Sequence, residues 1–398
     1  MAPQSVTSGV MTGRSLAHII AISVAALAAP ALLTGFRLAG RSEAAPVEKA
    51  SLAEAPPPVA ATATAVATAT ATATAEPEED EDAVPATLVE QRASLLRRMA
   101  RELDLPPGGL DKIKAIIEAS PYLGQGNPAA TRHPMKRSQC HAIRAEAGIA
   151  DTDAPDPVCG RRNMVPLFDP GAGEKADDAR VCIDRYEFPD IPCDYPVVYA
   201  SGKDASDLCE AAGKRLCDAH EWEGACAGAL RPAEEEYEWG EPRPYATWLH
   251  NNRRELQWSY GPKKNQALCA TRSALTPGCV ASGWRECGSN TYPAGAFPAC
   301  KSPFGVYDLN GNAAEHMNLP LHPEELMSRG GSGATEMKGS WFIFGIKEAH
   351  EDDCRWRAKD WHPSKVKDPG SHRNYHLGFR CCAGVPTAGA VKAGGAAP

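Results

Sequence analysis

A mostly apolar run covers residues 16–36, with Arg14 before it and Arg37 and Arg41 after it. About 20 apolar residues are what an α-helix needs to cross the hydrocarbon core of a bilayer. The same pattern fits a long signal peptide, because Ala-rich candidate cleavage sites follow the run. We therefore predict that residues 1–42 are a signal anchor or a signal peptide, and we favour the uncleaved anchor.

Two segments of the chain contain almost no large apolar side chains. Residues 43–86 are dominated by Ala, Thr, Pro and Glu, and residues 385–398 are rich in Ala, Gly and Pro. Such compositions bury too little apolar surface to offset the entropy lost on ordering. We predict a disordered spacer over the first segment and a disordered tail over the second.

Helical periodicity appears over residues 87–120. Thr87 and Glu90 have the spacing of a capping box, and an apolar stripe follows them. The stripe consists of Leu88, Leu95, Met99 and Leu103. A Pro-Pro-Gly-Gly sequence over 106–109 ends this helix, and a second apolar stripe begins after it. We predict two short amphipathic helices that pack on the rest of the same chain.

The pattern over residues 121–384 changes to short strand-like segments and long loops. One helix is predicted over about 205–212, ending at Gly213, because glycine is favoured immediately after a helix. The next helix begins near Asp218. Residues 228–303 are rich in Trp, Gly and Pro and are predicted to be loops. Loops of this length in a compact domain need covalent cross-links or bound ions.

Cysteines supply candidate cross-links. All 14 lie between Cys140 and Cys382. An even number of cysteines confined to one segment is typical of a disulfide framework formed outside the cytosol. Zinc is the alternative, although the chain has no pair of Cys-x-x-Cys knuckles. The formal net charge of −8 argues against a nucleic-acid-binding protein, because such proteins present basic surfaces.

The segment Phe304–Met317 contains the most informative candidate site. An apolar start is followed by a turn at Asn310 and Gly311, residues that favour positive backbone dihedral angles. Asp308 and Glu315 lie on either side of this turn. Two carboxylates with backbone carbonyls between them suit calcium, which binds several oxygen ligands. The alternative is a polar turn after a buried strand.

This segment and four others resemble, in order and spacing, the formylglycine-generating enzyme domain, also called the sulfatase-modifying factor family. The other four are Cys182–Phe188, Gly213–Cys217, Lys338–Trp341 and His376–Cys381. The resemblance covers roughly residues 160–384. It implies an α+β, irregular, loop-rich, C-type-lectin-like fold of the formylglycine-generating-enzyme type for residues 121–384, cross-linked by disulfides.

The resemblance also implies ligands for the calcium ion. The matching positions are Asp308, Gly311, Ala313 and Glu315. Calcium is therefore the expected cofactor. A second calcium site of the family would need an Asn-rich segment such as 251–252, which does not align clearly.

Disulfide partners follow from the same resemblance. It implies two pairs: Cys209–Cys381 and Cys226–Cys354. Two further pairs are guesses: Cys182 with Cys193, and Cys217 with Cys382. The partners of the remaining cysteines cannot be deduced from the sequence alone.

The catalytic cysteines of the family are missing. In the family, two cysteines after the Gly-Ser-Trp sequence bind copper and oxidise a substrate cysteine to formylglycine. Soft thiolates select Cu(I), so this chemistry requires both sulfurs. Here the corresponding segment contains only Cys354, and aligning it with the family's structural cysteine leaves Phe344 and Ala349 where the pair should be. Aligning Cys354 with the second catalytic cysteine instead still leaves the first one missing. We therefore expect no copper-dependent oxidase.

Histidines and acidic residues gather near the expected active groove. The sequence His-Glu-Asp-Asp covers 350–353, and His372 and His376 precede a predicted strand at 377–379. A second metal site is one interpretation of the first cluster. We favour a solvated acidic loop for the first cluster. We expect His372 and His376 to be solvent-exposed, because helical metal-ligand spacing does not apply beside a strand.

Together these observations predict an exported protein, attached to the cell membrane through residues 16–36, with the bulk of the chain outside the cytosol. Its domain would be a non-oxidase binding or structural module whose partner is an extracytoplasmic protein or a glycan. The alternative is an oxidoreductase of the formylglycine-generating type acting on protein cysteine, or other chemistry in the same groove.

Overall fold

The computed structural model describes residues 80–150, 154–280, 283–359 and 364–386. All of them lie in one compact unit, residues 75–398. The predicted membrane segment and most of the predicted spacer and tail fall outside the described residues. Within the described ranges, no helix has both the length and the apolar character required to cross a membrane.

The described residues form seven α-helices. These are α1 Leu88–Glu102, α2 Gly109–Ala119, α3 Arg137–Glu146, α4 Gly202–Ala211, α5 Ala219–Ala227, α6 Ala233–Glu236 and α7 Arg243–Arg253. Short 3-10 turns occur at Pro170–Ala172, Ala176–Asp178, Gln266–Leu268, Pro323–Glu325 and Met327–Arg329.

Helix α1 begins as the sequence predicts. The Thr87 side chain accepts a hydrogen bond from the Glu90 N–H at 3.2 Å, and the Glu90 carboxylate accepts one from the Thr87 N–H at 3.2 Å. Its buried face includes Leu95 and Met99, which join Ile113 of α2 in one apolar cluster with α4. The two amino-terminal helices therefore pack on the domain itself.

Two helices lie where the sequence predicted loops. Residues 228–303 contain α6 and the 11-residue helix α7. The prediction was wrong because Trp- and Pro-rich composition was taken as a loop signal. Pro242 and Pro244 instead occupy the N-cap and first turn of α7, where a missing N–H costs no helical hydrogen bond.

Seven short strands form two sheets. They are β1 Met164–Leu167, β2 Val181–Asp184, β3 Arg215–Leu216, β4 Ala314–Leu319, β5 Ala334–Lys338, β6 Leu377–Phe379 and β7 Cys381–Gly384. The first sheet has the antiparallel order β1-β2-β7-β3. The second has the order β5-β4-β6, in which β4 pairs antiparallel with β5 and parallel with β6.

Strand β4 is the element that positions the predicted calcium loop. All six of its residues are buried, and each edge of the strand is hydrogen-bonded to a neighbour. Trp222 of α5 is fully buried in the apolar cluster that also contains Met317 of β4. Burying a large apolar side chain stabilises a fold by about 1.5–3 kcal/mol. The loop before β4 is therefore anchored to the core.

Every cysteine of the chain is in a disulfide, so none is free. The seven pairs are Cys140–Cys193, Cys159–Cys182, Cys209–Cys381, Cys217–Cys382, Cys226–Cys354, Cys269–Cys300 and Cys279–Cys287. Both pairs implied by the resemblance are present, together with the guessed Cys217–Cys382. The guess that joined Cys182 to Cys193 is wrong, because these two residues lie in different apolar clusters, each with its own partner.

Candidate functional site

The loop before β4 turns where the sequence predicts, with the Gly311 N–H donating to the Asp308 carbonyl at 3.2 Å, but its positive φ angles fall on other residues. Positive φ angles occur at Asp308 (64°) and Asn312 (64°), and not at Asn310 or Gly311. Gly311 is required for another reason. A Cβ atom there would lie 3.0–3.2 Å from backbone atoms of Ala270, closer than normal side-chain contacts.

Glu315, the predicted glutamate ligand of calcium, forms a buried ion pair with Arg380. Its Oε1 accepts from Nη2 of Arg380 at 2.6 Å, and its Oε2 accepts from Nε at 2.7 Å. The indole N–H of Trp222 also donates to Oε2, at 3.0 Å. Glu315 is 1% exposed and Arg380 is fully buried. Arg380 therefore already neutralises this carboxylate.

Asp308 and Glu187 complete a buried group of carboxylates beside this pair. The carboxylate of Asp308 accepts a hydrogen bond from the Gly295 N–H at 2.6 Å. That of Glu187 accepts from the Asn312 side-chain amide at 2.6 Å and from the Ala313 N–H at 2.7 Å. Glu187 thereby fixes the backbone of the loop at Asn312 and Ala313. The sequence did not reveal this contact.

Burial changes the titration of these groups. Desolvation raises the pKa of Asp308 to about 6, while the Gly295 hydrogen bond and the Arg380 charge oppose that rise. Desolvation also raises the pKa of Glu187 well above its ordinary value, and the charges of Asp308 and Glu315 add to it. Burial thus favours the protonated forms of Asp308 and Glu187, and an additional cation would be needed to keep both ionised.

The loop has some of the donors that calcium prefers. Hard divalent cations bind carboxylate oxygens together with backbone carbonyls, and Asp308 supplies such a carboxylate. Both oxygens of Glu315 already accept hydrogen bonds from Arg380, so this residue would have to share them with an ion. A cation beside Asp308 would compensate the charge that burial disfavours there.

A groove with a volume of about 700 Å³ opens beside the Gly-Ser-Trp segment. Ala349, one of the two positions where the family's copper cysteines were expected, lines this groove, whereas Phe344 is fully buried. With every cysteine of the chain in a disulfide, no thiol is available to the groove. The groove therefore lacks the sulfur ligands for the family's copper chemistry.

Imidazole and indole rings form one wall of the groove. The His376 ring stacks on Trp341 with centroids 4.4 Å apart, and the His350 ring stacks on Trp356 at 4.5 Å. His376 is only 7% exposed, so the prediction of solvent-exposed histidines is wrong for this residue. Burial lowers the pKa of His376 to about 3 and also lowers that of His350. Both rings are neutral at pH 7.

Asp352 and Asp353 are buried, so the prediction of a solvated acidic loop is wrong for these two residues, whereas Glu351 before them is exposed. Asp352 accepts from the indole N–H of Trp258 at 3.0 Å, and Asp353 accepts from Nε of Arg254 at 3.0 Å. Both carboxylates are at most 2% exposed. These contacts fix the segment that borders the groove.

A second buried ionic network lies around Glu223. Lys338 and Arg357 donate to its carboxylate at 2.9 and 2.8 Å. Although burial acts to raise the pKa of Glu223, these two cations hold it below its usual range. Ligand atoms of Glu223, Glu236 and His250 lie within 4.8 Å of one another. The cations already occupy this cluster, which is therefore structural.

The Asn-rich segment 251–252 lies in α7 and does not form a calcium site. The Asn251 side chain donates to the Arg357 carbonyl at 2.8 Å and accepts from the Arg357 N–H at 3.0 Å. The Asn252 amide donates to the Trp248 carbonyl one turn earlier. The Asn251 side chain thus links α7 to the backbone of Arg357, and the Asn252 side chain hydrogen-bonds within α7.

Comparisons with solved structures give only weak likenesses. The chain is 11% identical to a structure titled "Major Tropism Determinant I1 Variant", with a TM-score of 0.29, covering 58% of this chain and 54% of that one. It is 15% identical to a structure titled "Crystal Structure of CarF", with a TM-score of 0.27, covering 63% of this chain and 84% of that one. A search of curated proteins gave no match.

A family profile described as "Sulfatase-modifying factor enzyme 1-like domain" matches residues 181–384. That range contains every strand of the two sheets except β1. It also contains the loop before β4 and the groove. The family has a C-type-lectin-like fold, which agrees with the mixed helices and sheets, the long loops and the seven disulfides. The chain therefore belongs to the sulfatase-modifying factor family.

Proposed function

We propose that this protein is an exported, membrane-tethered binding module that uses the groove beside Trp341 to hold a ligand without oxidising it. The observation that carries the proposal is the chemistry of the groove wall. Indole and imidazole rings line it, Ala349 stands where a copper cysteine was expected, and every cysteine of the chain is cross-linked elsewhere. Cu(I) sites in proteins are built from soft sulfur ligands.

Export is supported by the cysteines and by the amino-terminal sequence. Seven disulfides in one domain are typical of proteins that fold in an oxidising compartment. The apolar run over 16–36 precedes all of them in the sequence. An uncleaved anchor there, followed by the low-complexity spacer, would hold the domain at a distance from the membrane surface.

Calcium is the proposed structural ion of the domain. Asp308 and Glu315 would bind it with their carboxylates, and Gly311 and Ala313 with their backbone carbonyls. The proximity of the buried Asp308 and Glu187 carboxylates supports this assignment, because a divalent ion would compensate the charges that burial disfavours. When bound, the ion would neutralise Asp308 and link the loop to β4, so its role is to stabilise the fold that shapes the groove.

An oxidation assay tests the proposed function. The purified full-length protein is loaded with Cu(I) and incubated aerobically with a peptide that carries a cysteine in a sulfatase-type sequence. We expect no stoichiometric Cu(I) binding and no loss of the peptide thiol to an aldehyde. Formylglycine in the peptide, detected by mass spectrometry, would establish the alternative, an oxidoreductase acting on protein cysteine.

A further inference from the structure

Three ring nitrogens in the groove wall have no hydrogen-bond partner among the described residues, although all three are buried. They are Nε1 of Trp341, Nε2 of His350 and Nδ1 of His376. Trp341 and His376 are each only 7% exposed. Buried polar atoms are nearly always hydrogen-bonded, so three unpaired atoms in one groove indicate a missing partner.

The hydrogen-bonding character of two of these atoms is fixed. The indole Nε1–H of Trp341 can only donate. Nδ1 of His350 lies 2.5 Å from the carbonyl oxygen of Glu351, which can only accept, so the proton of this neutral ring is on Nδ1. Nε2 of His350 consequently carries a lone pair and accepts. A ligand must offer an acceptor to Trp341 and a donor to His350.

The rest of the groove selects against a charged ligand. The charged side chains at its edge, Glu351 and Lys359, are exposed and opposite in sign. Besides its aromatic and imidazole rings, the groove is lined by the apolar side chains of Met337 and Ala358 and by the uncharged amide of Asn374. A volume of about 700 Å³ is within the usual range for small-molecule sites.

We propose that the groove binds an uncharged saccharide. A hydroxyl group both donates and accepts, so neighbouring hydroxyls of one sugar ring satisfy Trp341 and His350 together. The apolar face of the ring lies against the aromatic wall. This inference deepens the proposed binding function and rests on it.

A metal ion fits the same groove less well. The Trp341 indole N–H cannot bind a cation and presents the positive end of its dipole. Among the described residues, no group of three His, Cys, Asp or Glu ligand atoms within 4.8 Å of one another lies in the groove. We therefore do not propose a transition-metal site, and the experiment below includes metal binding as a possible result.

Titration of the full-length protein with disaccharides tests the inference. The protein is kept in a zwitterionic detergent, since glycosidic detergents would compete, and is titrated with maltose, cellobiose and N,N′-diacetylchitobiose. Tryptophan fluorescence and calorimetry report binding. We expect at least one disaccharide to bind with a stoichiometry of one and to change the fluorescence.

Two variants locate the site. Trp341→Phe keeps a ring and removes the N–H donor, and His350→Asn keeps a donor for the Glu351 carbonyl and removes Nε2. Each should weaken binding about tenfold, the usual effect of losing one hydrogen bond to a ligand. Trp248→Phe is the matched control, because Trp248 is 50% exposed on α7 and does not line the groove. It should bind like the wild type.

Several results would overturn the inference. These are no binding of any of the three disaccharides, or binding that neither Trp341→Phe nor His350→Asn weakens. Binding of Zn²⁺ or Cu²⁺ alone that His350→Asn abolishes, without saccharide binding, would identify a metal site instead. Failure here leaves the peptide oxidation assay unaffected, so the binding function and its ligand class are tested separately. If Trp341→Phe does not fold, His350→Asn decides the question.

Discussion

Arg380 and Glu315 face each other as a two-pronged ion pair, with both oxygens of the carboxylate within 2.7 Å of guanidinium nitrogens. The pair joins the residue that follows β6 to β4, the middle strand of the second sheet. Arg380 also donates a hydrogen bond to the Tyr307 carbonyl at 3.0 Å. The Arg380 side chain therefore contacts both ends of the loop before β4, at Tyr307 and at Glu315. We therefore expect the loop to depend on Arg380.

Removal of Arg380 should be severely destabilising. Arg380→Met leaves Glu315 buried without its cation, and breaking one partner of a buried pair typically costs about 3–5 kcal/mol in the free energy of unfolding. Arg253→Ala is the control, because Arg253 pairs with Glu238 at the surface, where such pairs contribute about 0–1 kcal/mol. Urea denaturation measures both. Equal midpoints for the two variants would contradict the importance of the buried pair.

Calcium should raise the melting temperature of the protein. An ion that binds only the folded state stabilises it in proportion to the logarithm of its concentration. Asp308→Asn should abolish this rise while leaving the Arg380 pair intact. Asp104→Asn, which changes a half-exposed carboxylate on the surface, should keep it. If chelation does not change the melting curve of the wild type, the segment is only a turn.

The stability of the calcium-free protein should depend on pH through Asp308. Its pKa rises from 3.8 to about 6 in the folded state. Between these values the folded state binds more protons than the unfolded state, so the free energy of unfolding should fall as pH increases across that window and then level off. The difference between the wild type and Asp308→Asn isolates this contribution.

Denaturant titrations in a chelator at several pH values from about 4 to about 7 would measure that difference. In saturating calcium the trend should weaken or reverse, because the ion binds the ionised carboxylate and competes with the proton. A difference between the two proteins that is constant with pH would show that Asp308 ionises normally.

The two long-range disulfides of β7 should stabilise the protein non-additively. Cys209–Cys381 and Cys217–Cys382 have sequence separations of 172 and 165, so they close almost the same loop. The double variant Cys209→Ala/Cys381→Ala therefore releases only the short segment between the two bonds. Removing Cys217 and Cys382 as well opens the long loop and should cost about 2–5 kcal/mol more in the free energy of unfolding. Thermal unfolding without reductant compares the variants, and a second removal that costs less than the first would refute the entropic explanation.

Membrane attachment should depend on the amino-terminal run. The full-length protein should fractionate with membranes and resist carbonate extraction, and deletion of residues 1–42 should remove this property. Thiol labelling of intact and lysed cells provides the second measurement. Because every cysteine is expected in a disulfide, none should label before reduction. Cytosolic, freely labelled thiols would contradict the proposed export.

Local features were predictable from sequence because their determinants are close together in the chain. The Thr87–Glu90 cap needs residues three positions apart. The strand at 377–379 and the helix that follows Asp218 were likewise found from neighbouring residues. The Cys209–Cys381 pair was available only through the family resemblance, since spacing alone does not fix disulfide partners.

Burial of polar residues was not predictable, because it depends on partners that are distant in the sequence. Asp352 and Asp353 look like surface residues until Trp258 and Arg254, 94 and 99 positions earlier, are placed against them. His376 likewise looks exposed until it stacks on Trp341. The Gly-Ser-Trp segment indicated from the sequence where the groove lies. The side chains that form its wall, and their burial, were known only from the structure.

Two consecutive residues of β7, Cys381 and Cys382, pair with cysteines that precede them by 172 and 165 positions. A chain made from its amino terminus and delivered to an oxidising compartment presents Cys209 and Cys217 long before either partner emerges. Any bond that either thiol forms before then is non-native and must be exchanged before the native pair can form. Maturation of the protein thus ends with the arrival of its last strand, and a message truncated before β7 yields a chain with two unmatched thiols that cellular quality control can recognise.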